Sequence, residues 1–590
     1  MIDLSRLLQI QLSRTFFTCI QISLMGASAV VVHHASGFAQ TPDLTPGQLQ
    51  ELFPPEPRLP EDLPPPPPPL PAPEDLLQPT PETPPSQPLP PDIPETITVR
   101  EFDVVGSTIF SAEELAELTR PFVGRPIVLA ELFQARTAIS QHYIRQGYIN
   151  SGAFIPPQTL KDGVVRIQIV EGGLTGIDVS GTGRLHPNYV RQRLAIAGQT
   201  PLNRDRLLAA LQLLQQDPRI ESVAAELSAS PEPGLSVLSV RVVPADTLRL
   251  ALQTDNRRVS SAGSFERGLE FEQTNLLGGG DSLDLAYFNS DGSDEVNVSY
   301  DIPLGPRDTT LGLRFRSFAS EVIESPENIL DITSQAQAYE LTLRHPLVKT
   351  PTEELAMGLT FSRQASRNLL GGANFLETAD SQGRTRISAM RWFQEWVKRG
   401  DRQAFAARSQ FSLGVEWFDA TDNSARGGPD SSFFAWRGQA EWARQVTDNA
   451  LLFVRADVQL ADRDLLALEE FALGGARSVR GYPQNALLGD NGISASAEMR
   501  WSVYRDPVSG GTLSIGPFVD VGTVWNDDGS LPSTSNNDNT LIGTGVGLQW
   551  EQSDRLFLRL DWGIPLTSIG RSRRTWQDNG LYFTMSYAPF

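Results

Sequence analysis

The stretch Ile493-Ser494-Ala495-Ser496-Ala497-Glu498-Met499-Arg500-Trp501-Ser502-Val503 decides the fold of this chain. Its odd-numbered members are apolar and its even-numbered members polar, and in an extended strand successive side chains point to opposite faces. The same period returns in Val296 to Ile302, Leu452 to Leu460 and Leu556 to Trp562, and helical periodicity is absent from Leu248 onward. A soluble sandwich alternates too, so length and connection parity must decide. The runs span about nine to thirteen residues, against the usual five or six, which matches a tilted membrane crossing. About sixteen fit between Leu248 and Phe590, an even number as bacterial barrels require.

Connections after even-numbered runs are tight: Gly305-Pro306-Arg307-Asp308, Lys398 to Asp401, Thr447-Asp448-Asn449 and Gln552-Ser553-Asp554. From the fifth run on, those after odd-numbered runs are long: Ser320 to Ser334, Ala365 to Gly383, Asp419 to Ser432, Ala461 to Asn491 and Asn526 to Asn539. A sandwich has no reason for that parity, whereas short turns on one rim and long loops on the other characterise outer-membrane barrels. The expected fold class is therefore a transmembrane β-barrel of about 16 antiparallel strands over residues 245–590.

Upstream the texture is different. Ile97 to Val105 reads as a strand, Ser111 to Leu118 as a helix with Glu114 as capping-box partner, and Leu129 to Arg145 as a second helix. Gly152 to Ile155 and Val164 to Val170 complete a unit over 96–172. The same order recurs over 173–244, with strand Gly176 to Ser180, helices Pro187 to Ile196 and Arg204 to Gln215, and strands Ile220 to Ser228 and Leu235 to Val243. This is an internal repeat of two small α+β modules. Residues 40–95 are Pro-rich, including Pro64 to Pro69, and read as an extended spacer holding at most a short helix near Thr45 to Phe53. In residues 1–39, Arg6 and Arg14 precede the apolar run Phe16 to Val32 and the small-residue site Gly37-Phe38-Ala39, a signal-peptide pattern with cleavage expected before Gln40.

Composition excludes several functions. The net charge of −21 argues against a nucleic-acid partner. The single cysteine, Cys19, lies in the signal segment, so the mature chain is expected to hold no disulfide or thiolate metal site. His142, His186 and His345 are far apart, and no nucleophile or ligand stands at useful spacing. Gly278-Gly279-Gly280 follows a strand but opens no helix, which leaves a phosphate cradle unsupported. Carboxylates at Asp527-Asp528 and near Asp538 read as solvated loop. We expect no enzyme, no cofactor and no metal.

Ile155-Pro156-Pro157-Gln158, Asp162-Gly163 and Ile169-Val170-Glu171-Gly172 together resemble the closing strands of the first POTRA module in two-partner secretion transporters. The second repeat, with Arg206-Leu207 leading its last helix, is similar to their second POTRA module, and Asp255-Asn256 with Gly278 to Asp281 resemble the start of their barrel. Val479-Arg480-Gly481-Tyr482, after the eleventh run, and Phe518-Val519-Asp520-Val521-Gly522, in the thirteenth, match that family's Val-Arg-Gly-Tyr and Phe-x-Asp-x-Gly motifs. The wider superfamily that inserts barrels shares both motifs. The resemblance implies two periplasmic POTRA modules ahead of a monomeric barrel in outer-membrane lipid. It further implies a long loop folded into the lumen, and capture and secretion of one unfolded exoprotein of hemolysin or hemagglutinin type. An outer-membrane insertase is the alternative and a passive porin the third reading. Two features depart from the family: the Pro-rich segment is long, and Phe590 falls one residue out of step with the outward set Leu581, Phe583, Met585 and Tyr587.

Alternation aims Phe518, Asp520 and Gly522 into the lumen, with Val519 and Val521 toward lipid. The resemblance brings Arg480 into that same lumen, so an Arg480–Asp520 pair is expected, since a guanidinium can meet a carboxylate with two parallel hydrogen bonds. Gly543, Gly545 and Gly547 also face inward, either to make room for the loop or to relieve barrel curvature.

Overall fold

The computed structural model describes residues 77–79 and 96–589, except 161, 233, 326, 375–377, 427, 527–538, 554 and 569–574. The signal segment, the helix near Thr45, the acidic loop around Asp527 and Phe590 lie outside these residues.

The two modules form one compact unit. In the first, Glu101–Val105 pairs parallel with Val164–Val170, and Gly152–Phe154 pairs antiparallel on its other side. Helices α1 (Ala112–Thr119) and α2 (Leu129–Arg145) cover one face. Leu132, Ala135, Ile139 and Tyr143 recur at helical spacing along α2 and bury against Val165, Ile167 and Ile169, the alternate residues of the central strand. Ser111 caps α1 by accepting from Glu114 N at 3.2 Å. The Glu114 carboxylate, expected to close a capping box, instead meets His142 Nε2 at 3.1 Å, because α2 presents the imidazole alongside. Gln158 of the Pro-Pro-Gln segment donates to Arg166 O (2.7 Å) and accepts from Arg166 N (2.8 Å), so its side-chain amide imitates a ladder partner at the strand edge. Glu171 accepts from Thr108 N at 2.7 Å and Tyr143 Oη at 3.0 Å, tying the last strand back to α2.

In the second module Ile220–Ala229 and Leu235–Pro244 are antiparallel, Gly173–Ser180 lies parallel to the latter, and helices α3 (Pro187–Ala197) and α4 (Arg204–Gln215) pack over them. Arg206 donates to Ala197 O, Gln199 O and Pro201 O at 2.7–2.9 Å, satisfying carbonyls beyond the end of α3. One finding departs from the spacer reading of the Pro-rich segment. Leu77–Pro79 adds a short parallel strand to Ile220–Ala229, Leu77 standing opposite Ala225. A residue preceding proline is held extended, and an extended backbone can pair without a core of its own.

The second unit is a closed antiparallel barrel of sixteen strands. These are β1 (Leu248–Asp255), β2 (Glu266–Thr274), β3 (Ser282–Asn289), β4 (Ser293–Pro303), β5 (Thr310–Glu321), β6 (Ile332–Lys349), β7 (Glu353–Leu370) and β8 (Arg384–Gly400). They continue as β9 (Gln403–Val415), β10 (Phe434–Thr447), β11 (Ala450–Ala461), β12 (Asn491–Arg505), β13 (Thr512–Trp525), β14 (Thr540–Gln552), β15 (Leu556–Pro565) and β16 (Leu581–Tyr587). Each strand pairs with its sequence neighbour, and β16 returns to β1 through four residue pairs, Leu252 with Tyr587 to Asp255 with Thr584.

Strand lengths run from seven to eighteen residues, a wider range than alternation suggested. Pairing of β6 with β7 continues to Ile332 and Leu370, inside stretches expected to be loop. Above the lipid band the outward positions need no apolar side chain, so Thr333, Gln335, Gln337 and Arg367 carry the ladder on while the hydrophobic signal fades. Residues 462–490 are not plain loop either, since Phe471–Leu473 pairs with Leu487–Gly489.

Candidate functional site

A sixteen-stranded barrel is too wide for wall side chains alone to fill. On β13 Phe518 and Asp520 face inward, 3% and 0% exposed, while Val519 and Val521 face outward. The segment 462–490 folds against those inward groups. Phe471, Leu473, Val479, Tyr482 and Leu487 cluster with Val524 of β13 and Leu541 of β14, so apolar packing carries the motif to the wall.

Arg480 ends in a dense, buried polar cluster. Its Nε and Nη2 donate to Asp520 Oδ2 and Oδ1 at 2.8 and 3.0 Å, and its backbone N–H to Oδ2 at 3.0 Å. Nη1 donates to Glu498 Oε2 at 2.7 Å, and the guanidinium lies 3.3 Å above the Phe518 ring centroid. Ser496 Oγ donates to Asp520 Oδ1 at 2.6 Å. Around this pair Arg500 meets Glu498, and Arg559 bridges Glu498 (2.8 Å) and Asp561 (2.7 Å). Three guanidiniums thus face three carboxylates, which compensates charges that would be costly alone in a buried site.

The neighbours of Arg480 are fixed as firmly. Gly481 adopts φ 104° and donates its N–H to Tyr582 Oη at 3.0 Å, while Tyr582 donates to Tyr482 O. The Tyr482 hydroxyl meets Ile542 O at 2.8 Å and Thr567 O at 2.9 Å. All four residues of Val479-Arg480-Gly481-Tyr482 and all of Phe518, Asp520 and Gly522 therefore meet in one place. The inward glycines divide between the two explanations. A Cβ at Gly543 would collide with the Arg480 carbonyl and one at Gly522 with Leu473, so these make room for the loop. One at Gly545 would strike Phe518 and the Trp562 carbonyl, and one at Gly547 the Asp561 carboxylate, so these serve the wall itself.

Sequence reading missed several members. Glu498, Asp561 and Tyr582 occupy inward positions of β12, β15 and β16, a parity already visible in the sequence. Gln577 left no signal, whereas Asn256 stood in the Asp255-Asn256 pair that resembles the start of the family's barrel. Gln577, fully buried, donates to Asn256 O and Arg258 O beyond the end of β1 and accepts from Gln484 N of the loop at 3.2 Å. Asn256 accepts from Phe583 N and donates to Leu581 O, both at 2.8 Å, so side chains extend the short β1–β16 seam. On the other side, Arg391 of β8 grips Glu469 of the loop through Nη1 (3.1 Å) and Nη2 (2.8 Å). Beside the loop a polar cavity of about 540 Å³ remains, lined among others by Arg437, Glu441, Arg455, Asp457 and Glu469.

Apolar outward strands, a charged lumen that holds its own loop, and two α+β modules ahead of the barrel define an outer-membrane protein transporter with periplasmic modules. Residues 234–550 match the family described as haemolysin secretion/activation protein ShlB/FhaC/HecB, and residues 97–172 match the ShlB-type POTRA domain. The chain belongs to that haemolysin secretion/activation family. It is 26% identical over 466 residues to the outer membrane transporter CdiB of Escherichia coli O6:K15:H31 (strain 536 / UPEC), covering 76% of each chain. It is 21% identical over 477 residues to the heme/hemopexin transporter protein HuxB of Haemophilus influenzae (strain 86-028NP), covering 77% of this chain and 80% of that one. The solved structure of CdiB from Escherichia coli shares the fold, with a TM-score of 0.65 at 23% identity over 86% of this chain and 92% of that one.

Proposed function

We propose that this chain, acting as a single barrel, captures one unfolded exoprotein in the periplasm and conducts it through the lumen to the cell exterior, with no catalytic step of its own. The observation that carries this reading is the loop held inside the lumen by Arg480. A packed but reversible obstruction suits a conduit that must stay closed without its client. The loop is held both by this buried polar pair and by the apolar cluster of Phe471, Leu473, Val479, Tyr482 and Leu487, so a client that reaches the lumen displaces both. The modules supply capture. Backbone strand addition at a sheet edge needs little sequence specificity, and Leu77–Pro79 on the edge strand Ile220–Ala229 is an instance of an extended segment pairing there.

The test compares the outer membrane and the medium of a strain lacking this chain with those of its parent. Loss of one large exoprotein from the medium, with other barrels at normal levels, supports secretion. A general fall in outer-membrane barrels moves the reading to insertion of other barrels.

A further inference from the structure

Charged side chains reach the outward face of the barrel near its rims, as at Arg267, which pairs with Asp291, and on two neighbouring strands four such side chains, all arginines, stand together. Along β7, Thr360, Ser362, Gln364, Ser366 and Asn368 are buried toward the lumen, so Phe361, Arg363, Ala365 and Arg367 take the outward positions. On β8 the outward positions opposite them are Arg386, facing Ala365, and Arg384, facing Arg367. Arg363, Arg386, Arg367 and Arg384 therefore zigzag across two strands on the outer surface, next to the long connection 371–383 and thus at the rim that faces the exterior.

Like charges placed directly opposite on a sheet are destabilising, so this row calls for a counter-charge. Asp380 meets Arg386 at 3.1 Å. Arg363 reaches the Ser388 hydroxyl at 3.5 Å, and Arg367 the Gln382 carbonyl at 3.2 Å. The Asp419 carboxylate also acts on Arg363, while among the described residues none stands within ion-pair distance of Arg367 or Arg384, so two carboxylates face four guanidiniums. The arginines also sit beside an aromatic shelf. Phe418 and Asp419 both adopt left-handed backbone, φ 57° and 56°, a conformation that bulky residues rarely hold. That turn lays Trp417 and Phe418 on Phe361, at ring separations of 6.2 and 5.8 Å, yet leaves them 54% and 67% exposed.

We propose that this arginine row and its aromatic shelf are a binding site for the phosphorylated glycolipid of the outer leaflet, the arginines taking its phosphates and the shelf its sugar–acyl boundary. Guanidinium pairs recognise phosphate bidentately, basic clusters at a membrane rim bind anionic headgroups, and exposed aromatics gather at that level. The site lies outside the lumen and is separate from the transport machinery described above.

The experiment uses full-length protein in phosphatidylcholine nanodiscs, titrated with bisphosphorylated lipid A. Arg367→Gln/Arg384→Gln should bind about tenfold or more weakly than the wild type, while keeping heat-modifiable mobility and wild-type secretion. If the double variant fails to fold, Arg384→Gln alone, at an exposed position, should still weaken binding about threefold or more. Enzymatically dephosphorylated lipid A should bind the wild type as poorly as the intact lipid binds the double variant, and inorganic phosphate should not compete. Equal binding by wild type and variant, or equal binding of dephosphorylated lipid, overturns the proposal. Full competition by inorganic phosphate overturns it as well, because the site would then hold a small anion and not a lipid.

Discussion

Replacing Arg480 by alanine removes two guanidinium bonds to Asp520, one to Glu498 and the contact with Phe518. Asp520 is 0% exposed, so its carboxylate keeps its burial and loses its charged partner, retaining the Ser496 hydroxyl and the backbone N–H of residue 480. Breaking a buried ion pair from one side costs about 3–5 kcal/mol. The backbone N–H of residue 480 still donates to Asp520 in the variant, and Arg500 and Arg559 still face Glu498 and Asp561, which places the loss near the lower end, about 3 kcal/mol. At roughly 1.4 kcal/mol per decade, the undocked population of the loop rises about a hundredfold. Val479 is fully buried beside Arg480, and Cys19 is the only native cysteine. A Val479→Cys reporter should then react with a thiol reagent only when the loop leaves the wall, at a rate proportional to that population. Arg480→Ala should raise the rate about a hundredfold and sharply reduce secretion at normal barrel levels. Arg480→Lys should fall between, since an ammonium keeps the charge but not the two-pronged geometry. A labelling rate within about twofold of the parent, together with wild-type secretion, would refute the claim that this pair holds the loop.

Deleting residues 96–244 should leave a heat-modifiable barrel in the outer membrane and stop secretion; undiminished secretion would remove the capture role from the modules. Gly543→Val puts a side chain where the Arg480 carbonyl lies, so it should release the loop about as Arg480→Ala does, with an overpacking cost of about 1–3 kcal/mol or more; a labelling rate equal to the parent's counts against that packing. Gln577→Leu leaves the Asn256 and Arg258 carbonyls and the Gln484 N–H without this partner, at about 2–4 kcal/mol, and should lower the temperature of heat-modifiability, which an unchanged midpoint would contradict. Burial pushes the Glu171 carboxyl up, but the Thr108 hydroxyl and N–H and the Tyr143 hydroxyl outweigh it and hold the group below its usual 4.5. Because the folded value is depressed, this stabilisation is complete above about pH 4.5 and fades as pH falls through the folded value. Pepsin cleavage of the first module should therefore accelerate as pH falls below about 4.5, and Glu171→Gln should flatten that rise; an equally steep rise in the variant would exclude Glu171 as its source.

The alternation Ile493 to Val503 and its counterparts determined which residues share a face, and run length with the parity of the connections determined a barrel and its even strand number. A pleated strand has a period of two whatever surrounds it, and lipid beside the middle of the strands favours apolar side chains at the outward positions there. The helices of the modules were legible for the same local reason: Leu132, Ala135, Ile139 and Tyr143 mark the buried stripe of α2 without reference to the rest of the chain. What sequence could not decide were partners far apart along the chain with no shared period. Glu469 meets Arg391 across 78 positions, and Gln577 reaches Asn256 across 321. Neither residue departs from ordinary loop or strand composition. Only closure of the cylinder brought β1 beside β16, and only the width of its lumen drew the loop 462–490 inward. Those two geometric facts turned Glu498, Asp520 and Asp561, three inward carboxylates on separate strands, into one seat for Arg480.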